Sequence, residues 1–187
     1  MLKRPSGIPA DSDFLLEKRF LTAGTHFPMH WHDFIEMEFI ISGNGTHHLN
    51  DITYTITPGS CHIMSERDFH AITALTDVTL YCIHFNQNIL PRELRLQLSF
   101  KNLYCHFEET QMNWIMQLFD HLQAESKNTD SFCHIQQKNL LFQLFIEIIR
   151  KIQPISSSLS APVLEAISYI NENFQNPLTL QKLAGHY

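Results

Sequence analysis

The chain has no CxxC pair, no apolar run of the roughly 18 residues a membrane-spanning helix needs, and few cations. Its four cysteines, Cys61, Cys82, Cys105 and Cys133, stand far apart. The first residues, MLKRPSGIPADSD, are charged and broken by prolines, so they lack the apolar core of a secretory leader. The cysteines therefore read as reduced thiols, and the expected location is cytoplasmic. Lys and Arg number 13 against 19 Asp and Glu, a formal net charge of −6. Such a surface does not bind nucleic acid non-specifically over its whole extent, because phosphate contacts need clustered cations. A separate basic module is not excluded. Walker, GxSxG, HExxH and dinucleotide-glycine patterns are all missing.

What is present describes a folded protein. The 187 residues are 44% apolar with 14 Phe, enough for one cored domain and an appendage. From residue 14 to 86, short runs (FLLEKRF, DFIEMEFIIS, THHLN, ITYTI, SCHIMS, FHAITA and VTLYCIHF) alternate with turn signals. The turns are Gly43-Asn44-Gly45, Asn50-Asp51, Pro58-Gly59 and Arg67-Asp68. Strands at this spacing predict a sandwich or barrel. After residue 108 the period changes. Met112, Ile115, Met116, Phe119 and Leu122 recur at helical spacing, and a second helix follows the polar break ESKNTDS. That helix carries two apolar stripes, Leu141, Leu144, Phe145, Ile148 and Ile152 beside Phe142, Ile146 and Ile149. Two stripes must cover two surfaces, the β-domain and the first helix or a second subunit. Residues 153–162, QPISSSLSAP, read as a linker. A further helix, capped by Ser160 with Pro162 in its first turn, presents Val163, Leu164, Ile167, Ile170 and Phe174. Thr179 then looks like the cap of one more helix, too short to stand alone.

The stretch HWHDFIEMEFIISGNG, residues 30–45, holds the most chemistry. On one continuous strand His30, His32, Phe34, Glu36, Glu38 and Ile40 share a face, and Trp31, Asp33, Ile35, Met37, Phe39 and Ile41 the other. Two imidazoles and a carboxylate, joined by His70 from another strand, can hold a divalent metal such as Zn²⁺, Mn²⁺, Fe²⁺ or Ni²⁺. The same parity also describes a plain wet face, and a bulge near Asp33 would undo it. His47 and His48 are adjacent, so at most one points inward. His62 and His84 lie on strands and line the interior only if their faces turn that way. Trp31, Tyr54 and Phe69 can stack on a planar ligand or serve as core. Cys61 and Cys82 read as buried small hydrophobes.

Gly24, His30, His32, Glu36 and Gly43 reproduce the spacing of the first cupin motif. His70 stands where the second motif has its histidine, but Glu66-Arg67-Asp68 replaces Pro-x-Gly and Ala74 replaces an asparagine. Toward the end, ISYINENFQNPLTLQKLAGHY resembles the entry to the DNA-binding domain of AraC-type transcription regulators through Tyr169, Ile170, Phe174, Pro177, Leu178, Thr179, Leu180, Leu183 and Ala184. The order of modules is similar to that family over nearly the whole chain. The resemblance implies a mainly β fold with C-terminal helices: a cupin-like jelly-roll barrel, two packing or dimerisation helices and an incomplete helix-turn-helix unit. The expected boundaries are 1–107 for effector binding, 108–152 for dimerisation, 153–162 for the linker and 163–187 for the incomplete DNA-binding domain.

The function so implied is non-enzymatic. A small effector, a sugar or related metabolite, would meet His30, His32, Glu36 and His70, with Trp31, Tyr54, His62 and His84 around them. Binding would control a homodimer that contacts DNA through the full-length protein, away from membranes. The turn after Tyr187 and the recognition helices lie outside the sequence, so it should not bind DNA specifically by itself. Regulators of this type usually need no cofactor. The rival expectation is a metal-dependent cupin enzyme, an oxygenase or isomerase, with a divalent metal on His30, His32, Glu36 and His70. A dimeric binding module with no DNA partner is the third.

Overall fold

The computed structural model describes residues 2–10, 12–98 and 103–152, then 163, 166, 167, 169, 170, 173 and 175–185. Ten strands form two five-stranded sheets. Strands β1 (Leu2–Lys3), β3 (His26–Trp31), β5 (Gly45–Leu49), β6 (Ile52–Ile56) and β8 (His70–Ala74) make the first, in the order β1-β3-β8-β5-β6. Strands β2 (Phe14–Leu21), β4 (Ile35–Ser42), β7 (Ser60–Met64), β9 (Val78–Phe85) and β10 (Leu103–His106) make the second, in the order β10-β7-β4-β9-β2. All pairings are antiparallel except β1 with β3.

The expected jelly-roll barrel is corrected here, and with it the mainly β class. The fold is mixed α and β, and neither sheet closes. The chain crosses between sheets through turns rather than through strands that continue across the seam. Turn residues bond singly to strand residues, as where the Gly24 N–H donates to the carbonyl of Ala74 at the end of β8. No ladder therefore links β2 or β10 to the edges of the first sheet among the described residues. One such crossing needs Gly43, at φ 87°, because a Cβ there would lie 2.1 Å from the Asp77 carbonyl oxygen.

Beyond a 3-10 turn (Gln87–Ile89) and α1 (Arg92–Gln97), the helices α2 (Glu109–Glu125) and α3 (Cys133–Lys151) pack on the second sheet. The α2 stripe buries Ile115, Phe119 and Leu122, and α3 buries Leu141, Leu144, Phe145 and Ile148. These meet Ile35, Met37 and Phe39 of β4 with Tyr81, Ile83 and Phe85 of β9 in one core. Tyr81 stacks on Phe119 with centroids 4.4 Å apart, and its hydroxyl donates to Asp120. The second stripe of α3, Phe142, Ile146 and Ile149, stays half-buried. A smaller apolar core of Leu21, Ile40, Ile56, Ile72, Val78 and Leu80 fills one part of the space between the sheets.

The expected linker 153–162, with Ser160 and Pro162, lies outside the described residues, as do Leu164 and Phe174. Residues 163, 167 and 170 are helical, as expected. Helix α4 (Leu180–Ala184) starts where expected, with Thr179 Oγ1 accepting from the Lys182 N–H. Among the described residues no helix is long and apolar enough to cross a membrane.

Candidate functional site

The His-x-His segment is not one strand. Strand β3 ends at Trp31, residues 32–34 cross between the sheets, and β4 begins at Ile35. Because the crossing passes over the interior, His30 from the first sheet, His32 from the connection and Glu36 from the second still converge. His70 faces His30 as its register partner, and His84 faces Glu36 in the same way. All five are buried. The wet-face reading is thereby overturned, since His32 has no exposed surface.

Glu36 is the hub. Its Oε1 accepts from Cys82 Sγ at 2.9 Å and from Arg19 Nη1 at 3.4 Å, and lies 2.9 Å from His84 Nε2. Its Oε2 lies 3.2 Å from His32 Nε2 and 3.3 Å from His70 Nε2. Burial works to raise the Glu36 pKa, but the imidazoles of His32, His70 and His84 hold it well below the usual carboxylate range. Arg19 also donates to Glu17 at 2.9 Å, so the guanidinium is shared by two carboxylates.

Local carbonyls orient the histidines. His32 Nδ1 donates to the Phe34 carbonyl at 2.7 Å, and His30 Nδ1 to the Pro28 carbonyl at 2.9 Å. A carbonyl only accepts, so these protons sit on Nδ1, and the other nitrogen, Nε2, is the one that turns toward the cavity. Burial, then the neighbouring His70, lowers the His30 pKa to about 4, which keeps that ring neutral at pH 7. The ring of Phe34 stacks on His32 at 4.1 Å and touches His84 at 4.5 Å.

These residues line a cavity of about 260 Å³ with Arg4, Pro5, Arg19, Leu21, Phe27 and Glu38. The N-terminal segment closes one side: Arg4 lies 4.7 Å from the Phe27 ring, and His84 Nδ1 donates to the Ser6 carbonyl. The site also fits a divalent cation. Ligand atoms of His30, Glu36 and His70 lie within 4.8 Å of one another. His32 Nε2 and His70 Nε2 are buried without a hydrogen bond of good geometry, although both face Glu36 Oε2. Imidazole nitrogens converging with a carboxylate are the donor set of Zn²⁺, Mn²⁺, Fe²⁺ or Ni²⁺.

The structure thus brings together His30, His32, Glu36, His70 and His84. Trp31 and Tyr54 fall outside the cavity lining. The Trp31 ring lies under Lys3 at 5.3 Å, and Tyr54 packs on Tyr104 at 4.6 Å. His62 is fully buried beside Tyr54 and His47, also outside the lining. Sequence reading missed Arg19, whose only hint was sharing a strand face with Leu21. It also missed Glu38 as a lining residue, although parity places it beside Glu36. Cys82, expected as a plain hydrophobe, hydrogen-bonds Glu36.

Two facing sheets enclosing a polar, buried cavity define a ligand-binding module. The chain belongs to the AraC-like ligand binding domain family, whose model matches residues 19–145. The HTH-type transcriptional activator RhaR of Cronobacter sakazakii is 26% identical over 176 residues, covering 86% of this chain and 61% of that protein. RhaR of Salmonella arizonae is 28% identical over 155 residues, covering 73% and 53%. This chain therefore spans little more than half the length of these relatives, which are named as transcriptional activators. Among solved structures, ectoine synthase from P. lautus matches at 25% identity and a TM-score of 0.37 over 39% of this chain and 54% of that one. The cupin domain of Schizosaccharomyces pombe Cnp3 matches at 19% and 0.40, over 44% and 59%.

Proposed function

We propose that the chain is the effector-sensing and dimerisation portion of a cytoplasmic AraC-type transcription regulator. The observation that carries this reading is the buried cavity between the sheets, where Arg4, Arg19, Glu36, Glu38 and four histidines converge. So many hydrogen-bonding groups in about 260 Å³ suit a small polar effector, a sugar or a related metabolite. Residues 1–107 bind it, 108–152 dimerise through the half-buried stripe of α3, 153–162 link, and 163–187 begin the DNA-binding domain that the longer protein completes. The contacting residues are His30, His32, Glu36, His70 and His84. A divalent metal held by His30, His32, Glu36 and His70 would supply a Lewis-acid anchor for an effector oxygen.

Effector binding shifts the dimer between two arrangements because it binds one more tightly. The N-terminal segment is the moving part, since Arg4, Pro5 and Ser6 touch the cavity or its histidines. Deleting residues 1–12 is expected to change the effector response, and an unchanged response would remove the segment from the mechanism.

A thermal-shift screen of sugars and metabolites tests the whole reading. An effector at a hundred times its Kd stabilises the fold by about 2.7 kcal/mol, and Glu36→Gln should abolish the shift. A panel that moves neither protein, or both equally, would count against the cavity as the sensor.

A further inference from the structure

A second polar cluster shares Glu38 and His70 with the wall of the effector cavity, and its other members, His47 and His62, lie outside that lining. Glu38 on β4 and His62 on β7 are register partners on the second sheet, and His47 on β5 reaches them from the first. All three are buried. Glu38 Oε2 lies 3.7 Å from His47 Nε2, which shares a hydrogen bond of 3.1 Å with His70 Nδ1. The ring of His62 stands edge-on to His47 with centroids 4.3 Å apart. Among the described residues Glu38 Oε2, His47 Nδ1 and both nitrogens of His62 have no hydrogen-bond partner. Folded proteins seldom leave buried polar atoms bare, because desolvation is then uncompensated.

We propose that Glu38, His47 and His70, with His62 as an additional ligand, form a second divalent transition-metal site distinct from the one at Glu36. Ligand atoms of Glu38, His47 and His70 all lie within 4.8 Å of one another. Bonds of about 2.0–2.2 Å to one ion place neighbouring ligand atoms roughly 3.0–3.5 Å apart, so the 3.1 and 3.7 Å separations need only small shifts. Imidazoles with one carboxylate select Zn²⁺, Co²⁺ or Ni²⁺ over Mg²⁺ or Ca²⁺. Glu38 and His70 line the effector cavity while His47 and His62 do not, so the ion would sit in the cavity wall, between the effector and the two outer histidines. His70 connects the two sites, presenting Nε2 toward Glu36 and Nδ1 toward His47. A neutral imidazole has one free lone pair, so an ion at the second site fixes the proton on the nitrogen facing Glu36 and takes His70 out of the ligand set there. Metal occupancy thereby sets whether His70 donates or accepts toward the effector site.

The test uses the full chain, stripped of metal and titrated with Co²⁺, whose visible ligand-field bands report low-symmetry binding. In the His32→Ala, Glu36→Gln background about one Co²⁺ per chain should still bind. Adding His47→Gln should weaken that binding at least about tenfold. Glu38→Gln, which keeps the side-chain shape, should do the same while far-UV circular dichroism shows the fold retained. Failure of the double variant to take up Co²⁺ would overturn the proposal and leave the cluster as a site for ordered water. Undiminished binding after either added substitution would overturn it as well. Because the readout is metal uptake, its failure leaves the effector-induced shift of the intact protein standing or falling by itself.

Discussion

The two faces of β4 are equally buried and chemically opposite. Ile35, Met37 and Phe39 pack against α2 and α3, while Glu36 and Glu38, each 4% exposed, point into the space between the sheets. On the first face burial is its own reward, because apolar area leaves water. On the second it opposes two carboxylates, which persist there only through their neighbours. Glu36 has Arg19, Cys82 and three imidazoles around it. Glu38 has less: burial and the nearby Glu36 charge push its pKa up to about 8, so it is mostly protonated at pH 7. The difference separates the part of the molecule that holds the fold together from the part that carries its chemistry.

The sharpest way to break the first face is Phe39→Ala. The ring is fully buried, with centroids 5.4 Å from Phe119 and 5.9 Å from Phe107. The substitution should cost about 3–5 kcal/mol in urea unfolding. A loss under about 1 kcal/mol would mean that the helices and the sheet do not share one core. Glu36→Gln probes the second face. It should cost less, roughly 1–3 kcal/mol, because Arg19 keeps Glu17, while effector-induced stabilisation disappears. A variant as unstable as Phe39→Ala would make Glu36 a structural residue first.

A pH profile of the metal-free protein separates the faces more gently. Unfolded histidines take up protons near 6.5, whereas burial and the neighbouring His70 hold folded His30 down to about 4 and His62 to about 3. Over that interval the unfolded state binds more protons, so stability rises with pH up to about 6.5. Glu38 acts in the opposite sense. Unfolded, it ionises near 4.5, but folded it keeps its proton to about 8, so its contribution is lost as pH rises through that range. Below about 6.5 these imidazoles, and that of His47 which burial also holds low, outweigh one carboxyl, and from there to about 8 the Glu38 contribution falls, which places the stability maximum near 6.5. Glu38→Gln should flatten the alkaline limb in denaturation monitored from pH 5 to 9. The smallest effect belongs to the surface. Lys3 and Asp33 pair at 2.6 Å with both side chains half-exposed, so Lys3→Ala should change stability by no more than about 1 kcal/mol.

Much of this was legible locally. The runs FLLEKRF, ITYTI and VTLYCIHF became strands and the α2 and α3 stripes became helices, because periods of two and 3.6 are written by neighbouring residues. Strand β10 escaped notice. It is four residues long and owes its place to pairing with β7, Cys105 opposite Cys61. Helix α1, six residues long, escaped notice too. The break at residues 32–34 overturned the single-strand picture of His30 and Glu36 without separating them, since the chain crosses above the cavity they share. His47 was undecidable beside His48 until pairing with β6 and β8 turned it inward.

By itself, then, the sequence determined which residues alternate and which recur at helical spacing, and its resemblance to the first cupin motif singled out His30, His32 and Glu36, with His70 at the histidine of the altered second. The two periodicities are consequences of local sterics and side-chain size, which act between near neighbours. Only the tertiary structure decided that the sheets stay open and that Arg19, Cys82 and His84 surround Glu36. It alone also placed Glu38, His47 and His62 in a second buried cluster. Each of these depends on strand register between segments far apart in the chain. A one-residue slip in such a register would turn every one of those side chains to the opposite face.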